Sequence, residues 1–163
     1  MESMKDKIEA KVLDISAKLS TQTHLLALRN TFMTILPIMV FGGLSAVISA
    51  APVTEKTTNG FLLAWAGFVS DYGYVFSWIS VLSLGFITLY VALGITHYLC
   101  KNYNIEELIP NFITVFGLFM LAVRIEKLQY GLSLADLNFL DGKGLLVGIF
   151  VSIVTVEIYR FLD

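Results

Sequence analysis

Four apolar runs, separated by short polar stretches, set the plan of this chain. Residues 30–54, 72–100, 108–123 and 144–156 contain no Asp, Glu, Lys or Arg. A helix needs about 20 apolar residues to cross the hydrocarbon core of a bilayer, and the first two runs exceed that. The pattern predicts an all-α, polytopic membrane protein. Its spans fall near 30–51, 75–99, 108–123 and 144–162, within a single membrane domain over 1–163.

The polar stretches refine this plan. Met4, Ile8, Val12, Ile15 and Leu19 recur at steps of three and four among lysines and acids, the spacing of one helix face. Residues 1–20 therefore read as an amphipathic helix on the cytoplasmic membrane surface; a polar helix that packs on a partner is the alternative. Ser20 or Thr21 is placed to cap the first span, and Pro37 to kink it. Residues 61–100 are too long for one span, since about 40 helical residues reach ~60 Å. The part before Asp71 is too short to be another. A short interfacial or re-entrant helix over 61–70 is expected, then a turn at Asp71, Tyr72 and Gly73, then a span from about 75 to 99. Trp65, Tyr72, Tyr74 and Trp78 suit an aromatic belt there. Residues 108–123 are short for a span and open with Pro110 in the first turn. Residues 124–141 form a mixed-charge loop that holds a short amphipathic piece.

Composition agrees with the pattern. Of 163 residues, 56% are hydrophobic and 15% charged, and mean hydropathy is +0.77. Soluble domains carry about 25% charged residues. The net charge of −2 gives no basis for a nucleic-acid partner, and a single cysteine, Cys100, excludes an internal disulfide. Lysine and arginine counts set the orientation. With the N-terminus inside, Lys5, Lys7, Lys11, Lys18, Arg29, Lys101 and Arg160 lie inside, against Lys56, Arg124, Lys127 and Lys143 outside. Both termini are then cytoplasmic.

Few residues carry chemistry. His24 and His97 stand apart from each other and from any second ligand at metal spacing, so structural roles are expected and no metal or cofactor is implied. Asp71 reads as a turn residue. Glu157 and Arg160 are three apart, so they share a helix face and pair, near the cytoplasmic end of the last span. Gly42, Ala46 and Ala50, and again Gly144, Gly148 and Ser152, form small-residue strips at four-residue spacing, suited to close helix packing. No phosphate-cradling loop, zinc pattern or catalytic triad is present, so the chain shows no recognisable active site.

Two separated segments carry a family resemblance. QTHLLALRNTFMTILPIMVFGG, residues 22–43, resembles the opening of the enzyme IIC permeases of the bacterial phosphotransferase system. The nearest branch is the lactose/cellobiose/diacetylchitobiose one, with its Q-x-H-L-x-A-[IL]-R entry to a proline-containing first span. FLDGKGLLVGIFVSIVTVEIYRFLD, residues 139–163, resembles that family's Gly-x-Lys-Gly entry and Glu-Ile-[TyrPhe]-Arg exit. Gln22, His24, Arg29, Lys143, Glu157 and Arg160 are the motif matches, with topological roles expected.

The resemblance implies a plasma-membrane permease for β-linked disaccharides, coupled to phosphoenolpyruvate-dependent phosphorylation by enzyme IIA and IIB proteins. It implies further that this chain is the N-terminal, dimer-forming half, truncated or split from a C-terminal half that holds the sugar. No sugar contact is therefore expected in it. The alternative is a non-transporting membrane protein that oligomerises with itself or with an intact permease through the small-residue strips.

Overall fold

The computed structural model describes residues 22–54, 57–122 and 140–162; the amphipathic segment over 1–20, the caps at Ser20 and Thr21 and most of the 124–141 loop lie outside them. The described residues form five α-helices: α1 Thr23–Ser49, α2 Gly60–Leu84, α3 Ile87–Tyr103, α4 Leu108–Ala122 and α5 Leu145–Leu162. A 3-10 turn, Gly142–Gly144, leads into α5. Among the described residues there is no strand. By length and composition, α1, the joined Gly60–Tyr103 stretch and Gly142–Leu162 are long and apolar enough to cross a membrane. The chain is an all-α membrane protein.

α3 is the central element. Its Val91, Ala92, Ile95, Leu99 and Cys100 are fully buried, and all but Ala92 pack in one cluster with Ala27 and Ile35 of α1 and Val156 of α5. Lipid tails are as apolar as leucine, so close packing rather than water exclusion holds such helices together. Three glycines provide it. A Cβ on Gly94 would lie 2.5 Å from the Thr31 methyl, one on Gly148 2.7 Å from the Thr88 methyl, and one on Gly42 would run into the Ser83 side chain. The buried hydroxyls mostly return to their own helices: Thr31 donates to the Ala27 carbonyl at 2.8 Å, Thr96 to Ala92 at 2.9 Å and Ser152 to Gly148 at 2.9 Å. Thr96 also meets Thr114 of α4 at 3.0 Å.

α3 ends at Asn104, whose φ of 59° is left-handed, a conformation asparagine tolerates better than most residues. The Ile105 amide then reaches back to the Cys100 carbonyl at 2.9 Å, closing a Schellman cap. That turn brings α4 back antiparallel to α3.

The turn expected at Asp71, Tyr72 and Gly73 is corrected by the structure. α2 runs unbroken through it, and 61–70 is the first part of a 25-residue helix rather than a separate one. Local turn chemistry yields here because opening a helix in apolar surroundings strands amides and carbonyls without partners. The interruption falls at Gly85 and Phe86 instead. There a Cβ on residue 85 would stand 2.5 Å from the Val81 carbonyl oxygen. The break is tolerated because its loose ends find partners. The Thr88 amide donates to the Leu140 carbonyl at 2.9 Å, the Thr88 hydroxyl to the Asp141 carbonyl at 2.5 Å, and the Tyr90 hydroxyl to the Leu82 carbonyl at 2.8 Å.

α2 also curves. The Trp65 indole donates to the Ile48 carbonyl at 2.9 Å, while Ser83 abuts Gly42. These anchors stand six residues apart on α1 and eighteen apart on α2, or ~9 Å against ~27 Å of helix. A straight α2 lying alongside α1 meets only one of them. The first half of α2 therefore bends back toward the C-terminal end of α1.

Candidate functional site

The start of α1 and the ends of α3 and α5 meet at one end of the bundle, hereafter the near end. Four polar side chains converge there. The Glu157 carboxylate is the hub: its Oε1 accepts from the Tyr103 hydroxyl at 2.6 Å and from His24 Nε2–H at 2.9 Å. Its Oε2 faces Arg160 Nη1 at 3.6 Å. The Arg160 guanidinium also lies over the Tyr103 ring, 4.2 Å from its centroid, a cation–π arrangement. His24 presents to the same ring edge-on at 6.5 Å.

Each member owes its place to local structure. Glu157 and Arg160 share a face of α5 at i,i+3 spacing. His24 lies in the first turn of α1 and Tyr103 is the last residue of α3. Both oxygens of the carboxylate are engaged, so the cluster clamps three helices together instead of presenting a free acid or base. The side chains of His24 and Glu157 are 38% and 37% exposed, so water screens the contacts and each is modest in energy. A second pair on the same end, His97 with Glu107, joins α3 to the turn before α4.

The other predicted residues divide. Gln22 is the N-cap of α1 but makes no side-chain cap bond, and Arg29 is exposed. Lys143 lies at the opposite end of α5, exposed; its amide donates to Asp141 Oδ1 at 2.7 Å and its Nζ stands 4.0 Å from Oδ2. Of the first small-residue strip, Gly42 is buried, Ala46 half-buried and Ala50, which caps α1, exposed. The buried line on α1 runs instead through Ala27, Thr31, Ile35, Gly42 and Ser45. Gly144, Gly148 and Ser152 are all buried, in the second strip. Asp71 is exposed within α2.

Sequence reasoning missed Tyr103, Thr88 and Asp141. Tyr103 is 54 residues from Glu157, and no local spacing joins them. Its only signal is its place in the helix-ending turn before Asn104. Thr88 and Asp141 become visible only once the helix break at Gly85 is known.

No family model matches the chain, but individual proteins do. It is 27% identical over 160 residues to the oligo-beta-mannoside-specific EIIC component of the phosphotransferase system of Bacillus subtilis, a match covering 96% of this chain and 35% of that protein. It is 24% identical over 175 residues to the lichenan permease IIC component of the same species, covering 99% and 37%. With the cellobiose-specific EIIC component of Geobacillus stearothermophilus it shares 23% over 168 residues, covering 94% and 35%. Among solved structures it has the fold of the transporter ChbC, the IIC component from the N,N'-diacetylchitobiose-specific phosphotransferase system. That likeness has a TM-score of 0.74 at 21% identity and covers 95% of this chain and 37% of that one. The chain thus spans a little over a third of the length of the relatives it matches. By sequence and by fold, the chain is thus similar to part of the enzyme IIC components of the phosphotransferase system.

Proposed function

We propose that this chain serves in the uptake of β-linked disaccharides or oligosaccharides across a bacterial plasma membrane, coupled to phosphoenolpyruvate-dependent phosphorylation. It acts as the N-terminal portion of the permease, together with the portion its relatives possess beyond this third and with enzyme IIA and IIB proteins. The observation that carries the reading is that similarity to oligo-beta-mannoside, lichenan and cellobiose permeases extends over nearly the whole chain. On this reading the five helices are scaffold: they hold the near-end clamp and form dimer contacts, while the sugar is bound elsewhere in the permease.

The near end carries Arg29, Lys101 and Arg160, against Lys143 at the other end among the described residues. That bias supports a cytoplasmic near end. The small-residue positions Gly42 and Gly148 are filled by contacts within the chain, which leaves less surface for the alternative of a purely oligomerising protein.

The test uses a permease-null strain that retains the general phosphotransferase proteins. This chain and the remaining two-thirds of a cellobiose permease are expressed singly and together, and phosphoenolpyruvate-dependent uptake of labelled cellobiose is measured. Uptake is expected only with both. Both parts stably inserted without uptake of cellobiose or of an oligo-β-mannoside overturns the reading.

A further inference from the structure

The helix interruptions of this bundle lie at one depth. Gly94 meets Thr31, and Ser83 meets Gly42; Thr31 to Gly42 is eleven residues, and so is Ser83 to Gly94. A single antiparallel register therefore runs across the break at Gly85 and Phe86, and in it Pro37 stands level with Thr88. Thr88 is hydrogen-bonded to Leu140 and Asp141, at the threshold of the Gly142–Gly144 turn. α4 ends at the same depth, since Thr114 faces Thr96 and eight further residues on α4 correspond to eight back along α3. Pro37 of α1, the break between α2 and α3, the end of α4 and the start of α5 share one layer.

On the near side of that layer α3 is surrounded by α1, α4 and α5, and the buried apolar cluster lies wholly there. On the other side only α1 and α2 continue among the described residues. The residues α2 buries are Gly73 and Ser83; it adds no large apolar side chain to the core.

We infer that this layer is a hinge: the far ends of α1 (residues 38–49) and α2 form one body, and the near part of α1 with α3, α4 and α5 forms another. The two bodies rock about Pro37 and the Gly85–Phe86 break. Pro37 lacks the amide that would tie it to the Met33 carbonyl, which loosens α1 at that level. The Gly85–Phe86 break does the same for the second connection. Two soft joints at one depth define an axis, as in hinge motions generally.

The test is pulsed electron–electron spin resonance on the whole chain in lipid vesicles, in a Cys100→Ala background. Labels are placed at exposed positions in three pairs: Tyr74 with Phe150 across the layer, Phe116 with Phe150 within the near body, and Val47 with Tyr74 within the far body. The cross-layer distance distribution is expected to be about twofold broader than either internal one, as for a hinged pair of rigid bodies. Pro37→Ala, which restores the missing backbone bond, narrows it to the width of the internal pairs. Equal widths for all three pairs overturn the inference. So does a broad far-body pair, or a cross-layer width that Pro37→Ala leaves unchanged.

Discussion

The two sides of the Pro37 level are built on different principles. On the near side, α3 is enclosed on three flanks and buries Ile95 and Leu99 completely, and its end is tied by Glu157 and Arg160 of α5, with His24 of α1 edge-on to the same ring. On the far side, α2 runs in extensive contact with α1, with Ser83 against Gly42 and the Trp65 indole on the Ile48 carbonyl, and its aromatic residues Phe61, Tyr74 and Trp78 are largely exposed. One side is a packed core. The other is a two-helix arm, held together by small residues and joined to the core through α1 and the Gly85–Phe86 break. The difference lies in the number of flanks on which a helix is packed.

The largest effect should come from the tightest packing on the near side. Gly148→Val drives a side chain into Thr88, including its backbone oxygen 3.2 Å from the new Cβ. It should cost about 3 kcal/mol or more, at the upper end for overpacking. Gly67→Val, on α2, meets nothing within 4 Å and should leave stability within about 0.5 kcal/mol, as unconstrained surface changes do. Reversible unfolding in mixed micelles compares the two. Comparable losses would erase the distinction between the sides.

Next in size is Leu99→Ala, which empties a fully buried site on α3 and should cost about 2–3 kcal/mol by the same assay, mainly through the cavity it leaves. Trp78→Ala, on the arm, removes a larger but 64% exposed side chain and should cost less. A reversal of that order would place the core elsewhere.

The clamp ranks third. His24→Ala and Glu157→Gln should each lower stability by about 1 kcal/mol. The double variant should fall short of the sum by about 0.5 kcal/mol, the coupling of a half-exposed pair. Strict additivity would mean that the 2.9 Å contact contributes nothing to the near end. The smallest change is expected from Trp65→Phe, which deletes the bond to the Ile48 carbonyl. Interhelical bonds in membranes average about 0.6 kcal/mol, and a loss above ~2 kcal/mol would show the arm to be better anchored than its contacts suggest.

How much of this was legible in the sequence follows from the range of each interaction. Charge-free runs report the bilayer directly, so the membrane class could be read from 30–54, 72–100, 108–123 and 144–156. The i,i+3 spacing of Glu157 and Arg160 is local and equally visible. The helix break was misplaced because Asp71, Tyr72 and Gly73 look like a turn in water, whereas in an apolar setting the break goes where partners for the loose amides exist. The Leu140 carbonyl takes the Thr88 amide and the Asp141 carbonyl its hydroxyl, both more than fifty residues later in the chain. The clamp was hidden for the same reason: His24 and Glu157 are 133 residues apart, and only the folded register brings them together.

Thr88 carries a consequence for synthesis. Its hydroxyl waits on a carbonyl 53 residues downstream, and at about 5–20 residues per second the ribosome takes roughly 3–10 s to supply it. During that interval α3 has entered the bilayer with an amide and a hydroxyl that nothing in the chain yet satisfies. The translocon, water or a neighbouring protein must shelter them until Leu140 and Asp141 arrive. The segment just ahead of α5 is therefore the one that completes the hydrogen bonding of the middle of the bundle. A nascent chain stalled just after α4 should remain open to proteases that spare the finished one.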